Sequence, residues 1–140
     1  MKIIKTASEF YSWRKNQSQP LGFVPTLGAL HDGHLSLVKI SKKQCHITVV
    51  SIFLNPTQFS ANEDLALYPK TLDADIKCLE TLCVDILFLP TKNEMYNNVG
   101  GVKVPSTEIF QKLEGVSRPH FFYGVTTIVA KLFNVIQPTH

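Results

Sequence analysis

Two imidazoles three residues apart, on a turn supplied with glycine, are the groups in this sequence best arranged to do chemistry. They stand in Pro25-Thr26-Leu27-Gly28-Ala29-Leu30-His31-Asp32-Gly33-His34. Gly28 and Gly33 allow a tight turn and a close backbone approach to a ligand. A helix beginning near Gly33-His34 presents unpaired N–H groups and the positive end of its dipole, which suit a phosphate. Both rings then face one side of the helix start. There they can donate hydrogen bonds to phosphate oxygens and to the charge that grows as a pyrophosphate leaves. Zinc is the rival use of two histidines, but no third ligand is placed to complete a site, and no metal is assigned. Taken alone, the four-residue motif is explained equally well by two solvated loop histidines.

A second segment, Asn55-Pro56-Thr57-Gln58-Phe59, carries uncharged amides that both donate and accept. Asn55 and Gln58 suit a small polar substrate, its hydroxyl or its carboxylate. An Asn-Pro turn that merely ends a strand is the plain alternative.

Both segments need a scaffold that brings them together, and the hydrophobic pattern supplies one. Ile3-Ile4 reads as a short strand, followed by the capping-box pattern Thr6-Ala7-Ser8-Glu9 and a helix carrying Phe10 and Trp13, which Pro20 closes. Leu21–Val24 is a strand, and Leu35, Val38 and Ile40 lie on a helix ending at Lys42-Lys43. Ile47–Leu54 is nearly continuously apolar, as in a parallel sheet covered on both faces. Leu72, Ile76, Leu79 and Cys83 recur at helical spacing before a strand Val84–Leu89, stopped by Pro90. Val102–Val104 reads as a small strand, and Ser106 caps a short helix through Ile109, Phe110 and Leu113 to Gly115. Val125, Ile128, Val129, Leu132, Phe133 and Ile136 stripe a final helix, with Lys131 on its polar side. Alternating strands and helices predict an α/β, doubly wound, Rossmann-like parallel sheet in one domain, residues 1–140. In such sheets ligands bind beyond the carboxyl ends of the strands, where both polar segments fall.

Composition fits an ordinary globule: 140 residues, 44% hydrophobic and 18% charged. Lys and Arg number 14 against 11 Asp and Glu, a formal charge of +3 with no basic run, so nucleic acid is not an expected partner. No apolar stretch is long enough to predict a signal peptide or a membrane span. Cys45, Cys78 and Cys83 form no Cys-x-x-Cys pair and read as reduced thiols filling apolar space in a cytoplasm.

Three blocks in register carry a resemblance to a known family. Val24-Pro25-Thr26-Leu27-Gly28-Ala29-Leu30-His31-Asp32-Gly33-His34-Leu35-Ser36-Leu37-Val38 is the first. Val50 to Phe59, continued by Glu63-Asp64-Leu65 and Tyr68-Pro69-Lys70-Thr71-Leu72, is the second. Leu113-Glu114-Gly115, Ser117-Arg118-Pro119, Gly124-Val125, Thr127 and Lys131-Leu132-Phe133-Asn134 form the third. Together they resemble the pantoate–β-alanine ligase (pantothenate synthetase) family of nucleotidyltransferases over essentially the whole chain. The resemblance implies condensation of pantoate with β-alanine through a pantoyl adenylate, at the expense of ATP, with Mg²⁺ accompanying the nucleotide. It implies that Leu27, Gly28, Ala29, Leu30, His31, Asp32, Gly33 and His34 wrap ATP, with His34 assigned as proton donor and His31 beside it. Gln58 matches the family's pantoate-binding glutamine bordering the β-alanine site, with Asn55 in support. Tyr68 and Arg118 match positions near the pocket. A cytoplasmic homodimer is also implied.

Two positions depart from the family pattern. Leu27 replaces the usual Met at a backbone contact, and Phe121 stands where Arg-Pro-x-His-Phe has its histidine, with His120 one place early. The family continues beyond the point matching His140 with further ATP-contacting segments and a smaller C-terminal domain. The expectation is therefore an N-terminal nucleotide-binding domain lacking that second domain, with weak activity or none in isolation. Two alternatives stand at this point: a non-catalytic nucleotide-binding fragment, or another nucleotidyltransferase of the superfamily, against which the Asn55–Phe59 block argues.

Overall fold

The computed structural model describes residues 1–55, 71–101 and 121–140, together with Glu108 and Lys112. Strands β1 (Lys2–Ile4), β2 (Leu21–Thr26), β3 (Ile47–Ile52) and β4 (Ile86–Phe88) form one parallel sheet in the order β1-β4-β3-β2. Side chains alternate across a strand. Phe23, Val49, Ile86 and Phe88 therefore enter one core, and Val24, Val50 and Leu87 enter another on the opposite face. β3 lies between two neighbours with both faces covered, which is why its sequence is almost unbroken in apolar residues. The expected strand ended at Leu54; pairing stops at Ile52, while β2 runs on through Pro25 to Thr26.

A proline inside β2 is tolerated because of the direction in which it faces. Leu21 and Phe23 point their N–H groups to the outer edge of the sheet, where Thr139 and His140 receive them (Leu21 N to Thr139 Oγ1, 2.8 Å; Phe23 N to the His140 carbonyl, 3.0 Å). By alternation, position 25 faces the same way, so no bond to β3 is lost.

Helices α1 (Ala7–Arg14) and α4 (Phe121–Ile136) cover the first face, with a wide helical turn at Glu94–Asn98. Helices α2 (Asp32–Gln44) and α3 (Leu72–Thr81) cover the second. Thr6 caps α1 by accepting from Glu9 N at 3.2 Å, while the Glu9 carboxylate turns to Lys2 at 3.2 Å rather than closing the capping box. Phe10 is fully buried edge-on to Phe88, with ring centroids 5.5 Å apart. α2 lies so close to β2 that a Cβ on Gly22 would collide with Ser41 Oγ.

Four expectations are corrected. Cys83 is not on the buried stripe of α3: it follows the helix in a left-handed turn (φ 54) and is exposed, and Leu82 packs against the second core instead. The thiols therefore do not all fill apolar space; Cys45 does. Lys131 is not on a polar face. It is 6% exposed, with its stem in the core and Nζ donating to the Met95 carbonyl at 2.7 Å, 5.5 Å from the Tyr96 ring centre. Phe133 is the residue turned out, half exposed and edge-on to Phe23. The expected strand at 102–104 and the helix from Ser106 to Gly115 lie outside the described residues, apart from Glu108 and Lys112.

Candidate active site

The ends of β2 and β3 are locked together before the chain turns. Thr26 Oγ1 donates to the Ser51 carbonyl at 2.8 Å and accepts from Gly28 N at 3.2 Å, and Phe53 N donates to the Thr26 carbonyl at 3.1 Å. The turn then uses left-handed backbone at Gly28 (φ 89) and at Ala29 (φ 51), where a side chain makes that conformation unfavourable. The N–H groups of Ala29 and Leu30 both donate to the Asp75 carboxylate on α3, each at 2.9 Å.

His31 is the N-cap of α2, and its Nδ1 accepts from Gly33 N at 3.2 Å. When the ring is neutral, its proton therefore sits on Nε2, which is left as a donor. His34 lies on the first turn of α2, and the two rings stack with centroids 4.0 Å apart at 36°. The expectation that both imidazoles share one side of the helix start is met. His34 Nδ1 is buried without a hydrogen-bond partner among the described residues. Burial pushes the His34 pKa below its ordinary 6.5, the neighbouring His31 pushes it further down, and Asp75 opposes both. The shift favours the neutral ring, while the helix dipole at this corner favours an incoming anion.

A cleft of about 320 Å³ opens beyond the carboxyl ends of β2, β3 and β4. Leu27, Gly28, Phe53, Leu72, Asp75 and Lys92 are among its lining residues, so the glycine turn forms one wall. Asn55 is fully buried beside it. Its Nδ2 donates to the Gly124 carbonyl at 3.2 Å, and its Oδ1 accepts from Tyr96 OH at 2.6 Å. The amide thus joins the loop after β3 to α4 and to the Glu94–Asn98 turn. Gln58, Tyr68 and Arg118 lie outside the described residues. Among the described residues no three His, Cys, Asp or Glu side chains converge as a metal site, and no helix is long and apolar enough to cross a membrane.

Sequence reasoning missed Asp75, Tyr96 and Lys131. For Asp75 a signal was present: it sits three residues after Leu72 and four before Leu79, on the stripe that α3 buries. A carboxylate on such a stripe must have a partner elsewhere in the fold.

A parallel sheet wrapped on both faces by helices, with polar turns beyond its carboxyl edge, is a Rossmann-like α/β domain. The sequence profile of pantoate-β-alanine ligase matches residues 2–140. Pantothenate synthetase of Fervidobacterium nodosum is 46% identical over 142 residues, covering 99% of this chain and 51% of that protein. Pantoate–β-alanine ligase of Saccharomyces cerevisiae is 46% identical over 151 residues, covering 98% of this chain and 49% of that protein. The crystal structure of the Francisella tularensis pantoate-β-alanine ligase, complexed with β,γ-ATP and β-alanine, superposes with a TM-score of 0.88 at 42% identity, over 99% of this chain and 54% of that one. Thermus thermophilus pantothenate synthetase gives 0.86 at 38% identity, over 99% and 50%. The chain belongs to the pantoate–β-alanine ligase family, and it spans about half the length of these relatives.

Proposed function

We propose that residues 1–140 form the N-terminal nucleotide-binding domain of an AMP-forming pantoate–β-alanine ligase. In the first step a pantoate carboxylate oxygen attacks the α-phosphorus of ATP, the bond to the β-phosphate oxygen breaks, and pyrophosphate leaves. In the second, the β-alanine amine attacks the acyl carbon, the amide forms, a proton is lost from nitrogen, and AMP departs. No covalent bond to the protein is needed, so the work is positioning and charge stabilisation.

The observation that supports this reading most is the stacked His31–His34 pair at the N-terminus of α2, on the carboxyl edge of the sheet. The turn from Leu27 through Gly28, Ala29, Leu30, His31, Asp32 and Gly33 to His34 cradles the triphosphate. His31 Nε2–H and the His34 ring donate to phosphate oxygens. A neutral His34 takes up a proton as the anion arrives and returns it to the departing pyrophosphate. Gln58 holds pantoate at the border of the β-alanine subsite, and Asn55 supports it from behind by fixing the loop. Tyr68 and Arg118, which match family positions near the pocket, are second-tier contributors to substrate binding.

Mg²⁺ arrives with the nucleotide. The acidic groups described at this end fit that role: Asp32 is exposed, and both oxygens of Asp75 accept backbone amides. Such a cation would be held mainly by phosphates and water, its usual preference, and would supply charge neutralisation for the leaving group. The whole enzyme is a cytoplasmic homodimer, with the remaining half of the relatives' length completing the ATP site.

Titration with MgATP, followed by NMR, tests the reading. Resonances of Gly28 to His34 should shift and the His34 pKa should rise, while His34→Ala should weaken binding at least about tenfold, the loss of one hydrogen bond to a charged group. Unperturbed resonances in that turn, or unchanged binding by His34→Ala, would overturn it.

A further inference from the structure

The turn that carries the histidines is held from outside by a side chain 45 residues distant. We propose that Asp75 is the positioning residue of this site: by accepting the Ala29 and Leu30 amides it fixes the left-handed Gly28–Ala29 turn, and so aims the α2 N-terminus and its two histidines at the phosphates of the nucleotide. The inference rests on the nucleotide-binding reading given above.

Three features of the geometry carry it. Asp75 is 5% exposed on α3, between Leu72 and Leu79, where an apolar residue would complete the packed stripe. A carboxylate there carries a desolvation penalty that packing does not recover. Among the described residues no cation is ion-paired with it; the contacts it makes are the two amides, one to each oxygen at 2.9 Å. Second, Ala29 at φ 51 is strained backbone, which persists only where its surroundings hold it. The two bonds act at that residue and at the next. Third, the turn runs directly into the N-cap His31, so its path sets where α2 begins.

Asp75 also bears on the charge of the site, as the smallest of the three influences on His34 and the one that opposes the other two. The groups acting on His34 are His31, on the N-cap, and Asp75, across from α3. Burial and His31 favour the neutral ring, and the carboxylate keeps protonation within reach when an anion binds. With the Ala29 and Leu30 amides engaged by Asp75, these two residues shape the cradle, and the α2 N-terminus and the histidines supply its donors.

The test is Asp75→Asn, which keeps the size, removes the charge and sets an NH₂ group against one of the two amides. MgATP should bind about tenfold more weakly, as expected if the turn keeps its binding geometry in only about a tenth of the molecules. Amide exchange at Ala29 and Leu30 should accelerate, and His34 should titrate lower than in the unsubstituted protein, because the opposing charge is gone. A residue that only packs would lower the melting temperature without moving the His34 titration. Equal ATP affinity with an unmoved His34 titration overturns the proposal alone; a protein that binds no ATP before substitution overturns the nucleotide reading and this proposal with it. If the variant does not fold, the unsubstituted protein still decides. Scalar coupling across the hydrogen bonds, from the Ala29 and Leu30 nitrogens to the Asp75 carboxyl carbon, should be measurable, and its absence overturns the proposal.

Discussion

The two flanks of the carboxyl end of β3 are built in opposite ways. On the β2 side, the Gly28–His34 turn is held through its backbone, by Thr26 and Asp75; Leu27 and Gly28 line the cleft, and the stacked imidazoles sit further along at the start of α2. On the α4 side, Tyr96 donates to the Asn55 side chain, Asn55 donates to the Gly124 carbonyl, and Lys131 donates to the Met95 carbonyl with its cation over the Tyr96 ring. A backbone-held turn frees side chains for a ligand; a network of side chains fixes the wall behind it. The contrast separates stability from binding, and substitutions on each flank can break it.

The largest effect should come from Asn55→Ala. It removes both hydrogen bonds of a fully buried amide and leaves a cavity in its place, and should cost about 2–4 kcal/mol in urea unfolding. Lys131→Met keeps the buried stem but loses the bond to the Met95 carbonyl, and should cost about 1 kcal/mol. His34→Ala should change stability by no more than about 0.5 kcal/mol at pH 7, for all its effect on ATP. A His34→Ala loss comparable to that of Asn55→Ala would abolish the distinction.

The smallest effect is one of pH. The folded protein holds the His34 pKa below its value in the unfolded chain, so the fold binds fewer protons and favours the neutral ring. That contribution is complete above the ordinary imidazole value of 6.5 and fades as the pH falls through the lowered one. Melting temperatures at pH 7 and pH 5 should differ less for His34→Ala than for the unsubstituted protein.

The β2 flank was largely legible in the sequence, because its chemistry is local: glycine, two histidines and a helix start lie within seven residues. The run of β3 was legible for the same reason, since burial on both faces writes itself into consecutive residues. The α4 flank was not. Lys131 looks like a surface cation until its four-carbon stem is seen reaching the Met95 carbonyl, 36 residues away in the chain. Its burial turns the helix face, so Phe133, apolar by type, is half exposed. Asp75 was hidden likewise: the pattern marks it as misplaced on a buried stripe, but its partners, 45 and 46 residues away, come together only in the fold.

The outer edge of β2 carries one more consequence. An open edge strand is a template onto which a foreign strand can add, and apolar strands such as Leu21–Val24 are prone to seed aggregation in that way. Here Thr139 and His140 already occupy the donors of Leu21 and Phe23, and Pro25 has no donor to offer. With Leu21 and Phe23 bonded in this way and proline at 25, none of these three positions offers a foreign strand a free amide.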